Sequence, residues 1–218
     1  MHRVAESRLL SASEKEQRFR VFWIAFSFDV HTSTRSGRPC MQNANDIGID
    51  LPSASPRDNL GILVNSNGSA VLNFLSAKAQ FSVLHGKVYD RLFTTSAVEK
   101  SKTVLDGDIQ ELGEELQRLG RLIPGISAGT QEPHRIISSN WNHEQHRHLL
   151  SLLLGFHSCA MTVYSASWHH HLHLIKARGP TKADLAVAFP HFDRCVQAAY
   201  EIVDLLSLIS RNETSFIW

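Results

Sequence analysis

Arg20-Val-Phe-Trp-Ile-Ala-Phe-Ser-Phe-Asp29, followed by Gly37-Arg38-Pro39 and then by Asp46-Ile47-Gly48-Ile49-Asp50-Leu51-Pro52, is the stretch on which the fold turns. Its first part has helical periodicity: Phe19, Phe22, Trp23, Phe26 and Val30 recur at spacings of three and four, which gives one aromatic stripe that must be buried. Ser13 and Glu16 form an S-x-x-E pair, the pattern of a capping box, so the helix is expected over 13–37. Gly37 supplies a C-cap and Pro39 prevents the helix from resuming. Asp29 lies beside the apolar stripe, where a carboxylate needs a hydrogen-bonded or charged partner. Arg38, at the corner, either pairs with Asp29 or the helix-end carbonyls, or is solvated; the sequence leaves both open.

Outward from this stretch, residues 38–69 read as a loop, rich in Ser, Pro, Asn and Gly after Pro52. Residues 70–124 read as helices. In the first, Val71, Phe74, Leu75, Phe81, Leu84, Val88 and Leu92 fall along one side, and Lys78, His85, Lys87 and Asp90 are expected to face water. In the second, Asp108 and Glu111 resemble a capping box and Ile109, Leu112, Leu116 and Leu119 follow, with Pro124 closing the element. Asp106, Asp108, Glu111, Glu114 and Glu115 are then expected to be solvated at a helix N-terminus. Residues 125–142 are a connection and 143–211 a C-terminal helical region. In that region Pro190 should kink a stretch starting at Thr181, and Phe192, Cys195, Val196, Ala199, Ile202, Val203, Leu206 and Ile209 mark the last helix. No stretch alternates with period two, so no sheet is expected. The fold class predicted is all-α: one domain, or a fragment of one, over 1–218, with about six long helices in antiparallel pairs.

The totals exclude several classes. A chain of 218 residues with 43% hydrophobic and 20% charged content suits a soluble globular domain. Lys plus Arg is 22 against Asp plus Glu at 21, so no net field draws nucleic acid or an anionic membrane. Three widely spaced cysteines, Cys40, Cys159 and Cys195, make no disulfide framework. Leu149 to Trp168 holds no charged residue, which meets the length criterion for a membrane span. Four serines, Gly155, His157 and the lack of a basic anchor favour a buried central helix instead, and no membrane partner.

The R-x-F-W helix, the Gly-Arg-Pro corner and the Asp-Ile and Leu-Pro steps resemble, in register and without insertions, the middle homology region of fungal zinc-binuclear-cluster transcription factors. The residues that carry this are Arg20, Phe22, Trp23, Asp29, Gly37, Arg38, Pro39, Asp46 and Pro52. The likeness extends over about residues 15–210 and includes Cys195-Val-Gln-Ala-Ala199, while Val30 and Leu119 depart from the pattern. It implies a regulatory, effector-sensing domain of a nuclear protein controlling RNA polymerase II transcription, in truncated form. The DNA-binding cluster of that family needs six cysteines and two zinc ions, which these three cysteines cannot build. By the resemblance, DNA is therefore a partner only through that absent module, and this chain binds it weakly or not at all. No cofactor is expected in the chain itself. A small-molecule effector, transcriptional co-regulators and a homodimer are the partners the resemblance suggests.

Thirteen histidines are the compositional oddity. His143, His146, His169 and His173 are the metal candidates, with His169 and His173 at i, i+4 on one helical face. The zincin pattern H-E-x-x-H is not met, and adjacent rings on a helix diverge, so solvated histidines are the simpler reading and no metal site is assigned. There is no G-x-S-x-G elbow, no phosphate-binding glycine loop and no local Cys-His pair, hence no catalytic residue and no enzyme. An all-α metal-dependent enzyme using the histidine-rich helices is the alternative from another class, and a helical interaction scaffold is the third.

Overall fold

The computed structural model describes residues 9–65, 67–124, 126, 141–178 and 191–209. Helix α1, Ala12–Ser36, opens on a capping box, but at Ser11 and Glu14. Glu14 N–H donates to Ser11 Oγ at 3.3 Å, and the Glu14 carboxylate accepts from Ser11 N–H at 2.9 Å. The S-x-x-E pattern occurs twice in overlap here, and the earlier copy wins because the later glutamate, Glu16, is needed by Arg20. Gly37, at φ 65°, terminates the helix in the left-handed conformation as expected. Arg38 N–H then closes onto the Ser33 carbonyl at 3.0 Å.

The expected absence of a sheet is corrected. Strands β1, Ile62–Val64, and β2, Ala70–Asn73, form an antiparallel hairpin with Leu63 opposite Leu72 and an irregularity after Leu63. Strands of three and four residues are too short for alternation to register as a pattern. The signal that does exist is Asn67-Gly68 between apolar runs, with Gly68 at φ 75°. Asn65 Oδ1 holds this turn by accepting from Asn67 N–H and Ser69 N–H. The hairpin takes residues expected in the next helix, so α2 is Phe74–Leu92 and starts at Asn73. Asn73 does two jobs: its Oδ1 accepts from Ser76 N–H at 2.9 Å and its Nδ2 donates to the Leu60 carbonyl at 2.8 Å.

A single turn, α3 (Thr95–Val98), leads to α4, Lys102–Gly120, which is capped by Ser101 and not by Asp108. Several acids of α4 are accordingly engaged, contrary to expectation. Asp108 is buried and bound by Arg91 and Lys100, while Glu111 meets Arg91 and Glu115 meets Lys87. Because Arg91 reaches 108 and 111 while Lys87 reaches 115, α2 and α4 run antiparallel.

Helix α5, His143–Arg178, is the apolar centre of the bundle, and α6, Phe192–Ser207, packs on it. By length and composition the span Glu144–Leu172 could cross a membrane. Its Leu149, Leu150, Leu152, Leu153, Cys159 and Val163 are nevertheless buried against α2 and α4. Small residues set the α4–α5 approach: Gly113 faces Tyr164 and Gly120 faces Phe156, an antiparallel pairing at close quarters. His85 is half-buried. Burial pushes its imidazole down to about 4, against an opposing hydrogen bond to the Gly155 backbone on α5.

The last helix forms where its apolar positions mark it; Ala198 and Leu205 are buried, Cys195 and, beyond the helix, Ile209 pack against the core, and Phe192, Val203 and Leu206 are exposed. The kinked stretch expected at 181–190 lies outside the described residues. Two apolar clusters result, one on α2, α4, α5 and α6 and one joining α1, the following loop and Ala79 of α2.

Candidate functional site

The second cluster holds two of the signature residues, Phe22 and Trp23, and the others lie on the same helix and on the segment after it. Phe22, Trp23, Phe26 and Val30 are buried with Ile49, and the three rings interlock: Trp23 meets Phe22 and Phe26 edge-on at 5.4 and 5.6 Å. Trp23 Nε1 also donates to the Asp50 carbonyl at 2.8 Å, which fastens the Asp46–Pro52 loop over the helix. Asp29 anchors the other end of the loop. Its Oδ2 accepts from Gln42 N–H at 3.2 Å and its Oδ1 from Ser33 Oγ at 3.5 Å. The pairing of Asp29 with Arg38 is therefore not formed. The carboxylate is taken by a main-chain amide of the loop, and Arg38 is exposed. Asp46 sits at the end of a one-turn 3-10 helix and is exposed as well.

Arg20 is buried, and the partner it needs is Asp58, which the sequence did not single out. The guanidinium forks onto that carboxylate, Nη1 to Oδ2 at 2.6 Å and Nη2 to Oδ1 at 2.8 Å, with Glu16 on the same Nη2. Asp58 in addition accepts from Leu60 N–H. The Arg20 bonds, with that amide, bring the Asp58 carboxyl down to about 2. A depressed folded-state value contributes stability that is present above the ordinary carboxylate range, near 3.9. That contribution is lost as pH falls through about 2. Replacing Asp58 with Asn is expected to flatten the acid limb of the stability curve over that interval, read from urea midpoints at stepped pH; an unchanged limb would count against the fork.

Two clefts flank this corner. One, of about 350 Å³, is bounded by Phe19, Arg20, Leu51, Pro52, Arg57 and Asn73. The other, of about 340 Å³, lies between the Pro39–Ala44 turn and the end of α2, and its wall includes Cys40, Tyr89 and Asp90. Burial, then the Asp29 carboxylate, pushes the Cys40 thiol up. Burial likewise pushes the Asp90 carboxyl up. Sequence reasoning missed both clefts, since no local motif announces a wall made by two segments far apart in the chain.

Of the four metal candidates, His146 and His169 have described side chains, and these two are far apart. His146 and His169 stand on one helix 23 residues apart, about 35 Å at the rise of an α-helix. The His169 ring packs against Phe93 at 5.8 Å, and the neighbouring His148 stacks on Phe74 at 4.3 Å. The side chains of His143 and His173 lie outside the described residues. Among the described residues no group of three His, Cys, Asp or Glu could hold a metal ion.

A family model described as the fungal specific transcription factor domain matches residues 1–117, more than half the chain and all of the signature. The chain belongs to the fungal specific transcription factor domain family. It is also 30% identical over 224 residues to an ABC-transporter-regulating transcription factor of Aspergillus fumigatus, and equally to one of Aspergillus oryzae. Each alignment takes in 100% of this chain and 24% of the relative, so the chain spans about a quarter of those proteins. No solved structure matches. Within the family domain, the R-x-F-W helix and the G-R-P corner are thus the framework that fixes the two clefts.

Proposed function

We propose that this domain is the regulatory element of a fungal zinc-cluster transcription factor, one that restrains activation segments and releases them when an effector binds. The observation that carries this is the corner itself. A buried aromatic helix is clamped through Trp23 to Asp50 and through Asp29 to Gln42, and solvent-reachable clefts lie on either side. Such an arrangement suits a ligand that binds two conformations unequally, the only way an effector can shift their balance. The relatives' names extend the proposal to regulation of ABC transporters. The resemblance, not those names, adds a nuclear location, co-regulators as partners and DNA contacted through a separate zinc module.

The test is a reporter driven by a heterologous DNA-binding module and activation segment, with and without this chain joined to them. The chain is expected to lower output by roughly fivefold or more, the lower end of usual coupling between sites. Equal output from both fusions at matched protein levels would refute the regulatory reading.

A further inference from the structure

The cleft beside Cys40 is electrostatically one-sided. Asp90 stands in its wall, and among the described residues no Lys, Arg or His lines it. Three nearby cations are committed elsewhere, and Arg38, at the Gly-Arg-Pro corner, is exposed and does not line the cleft. Lys87 is bound by Glu115, Arg91 by Asp108 and Glu111, and Lys100 by Asp108 and the Arg91 carbonyl. Thr94 bonds the main-chain carbonyl of Asp90 and leaves its carboxylate alone. Among the described residues the Asp90 carboxylate thus has no ion pair, although it is partly shielded from water. A partly shielded anion without an ion pair keeps less of its hydration than in open water, and a cation entering the cleft would offset that loss. Tyr89, in the same wall, offers an aromatic ring, the other group that recognises organic cations.

The second cleft differs in kind. There Arg20 already meets Glu16 and Asp58, and the lining carries a further cation, Arg57, beside Asp50, so it is not one-sided. A bare metal ion is a poor occupant of the first cleft, because no three-ligand group exists among the described residues and Asp29 is spent on the Gln42 amide. The open cleft of about 340 Å³ is instead at the lower end of the sizes used for small organic ligands.

From this we infer that the cleft between the Gly-Arg-Pro corner and the end of α2 binds a small organic ammonium compound, its charged nitrogen at Asp90 and its apolar part beside Tyr89. The inference rests on the regulatory reading for its biological meaning, but not for its chemistry. It names the class of effector, and it places the ligand where it bridges α2 to the turn held by Asp29.

Calorimetric titration of the full 218-residue chain with phenethylammonium, 2-phenylethanol and phenylacetate tests it. The ammonium compound is expected to bind at least roughly tenfold more tightly than the alcohol, as a charge-assisted hydrogen bond implies, and phenylacetate more weakly than either. Asp90→Asn, which removes no side-chain ion pair formed among the described residues, should abolish the preference, whereas Asp50→Asn in the other cleft should keep it. Equal binding of ammonium and alcohol, a preference that survives Asp90→Asn, or no binding of any probe overturns the assignment. If the preference is found at Asp90 while the reporter shows no repression, the site stands and the regulatory reading fails; with repression but no preference, the regulatory reading stands and the site fails.

Discussion

Trp23→Ala is expected to destabilise the chain by about 3–5 kcal/mol, the range for emptying a buried aromatic site. Trp23 is only 2% exposed, and its ring is packed edge-on against both Phe22 and Phe26. The truncation also strips the Asp50 carbonyl of its donor and frees the loop that ends in Leu51-Pro52. The damage should be regional. Cluster residues Phe22, Phe26, Val30 and Ile49 touch α2 through Ala79 and Val83, whereas the leucines of α4 and α5 belong to the other cluster. Hydrogen exchange should therefore show amides of α1 and of 46–52 losing protection while Ile109, Leu112 and Leu149 to Leu153 keep theirs. A denaturation midpoint shifted by less than the equivalent of about 1 kcal/mol would mean that the helix is not held by this side chain. Uniform loss of protection would mean that the two clusters unfold as one.

The same corner shows what a sequence can and cannot declare. Period and punctuation are local, so the helix, its glycine stop and its aromatic stripe are all legible from Arg20 to Pro39. Pairing is not local. Arg20 is buried and needs a carboxylate, but its burial shows only in the fold, and Asp58 is 38 residues away with nothing near it to mark it as the answer. Asp29 announces the same need, and the expected partner Arg38 loses to a main-chain amide, which every residue but proline carries and no pattern can flag. Where two local patterns overlap, as at Ser11 and Ser13, the choice depends on which glutamate another side chain recruits. The hairpin is illegible for another reason. Its strands are short, and the apolar run at 70–72 fits a helix start as well as a strand until Asn73 caps the helix after it. The clefts follow the same logic, since each is enclosed by segments that meet only after folding.

Gly120→Ala is expected to destabilise the chain by about 2 kcal/mol, within the usual cost of overpacking and against the helix preference of alanine. A Cβ at Gly120 would lie 2.5 Å from Phe156 Cε2, with Phe156 Cζ at 3.1 Å and Ile126 Cγ2 at 3.2 Å. Phe156 cannot easily yield, because it is buried and stands edge-on to Phe81 at 6.4 Å. Gly107 lies on the same helix with nothing within 4 Å of the place a methyl would take, so Gly107→Ala should instead stabilise, by about 0.5–1 kcal/mol. Opposite signs from one chemical change on one helix separate close approach from backbone propensity, and urea unfolding of the two variants reads both. A double-mutant cycle localises the clash. With Phe156→Leu the ring edge is gone, and the added methyl at 120 should cost little or even fill part of the vacated space, leaving a coupling of about 1–2 kcal/mol. If Gly120→Ala is neutral, or if its cost is the same in the Phe156→Leu background as with the ring present, then α4 and α5 do not meet at the separation that places the Tyr164 and Phe156 rings over Gly113 and Gly120.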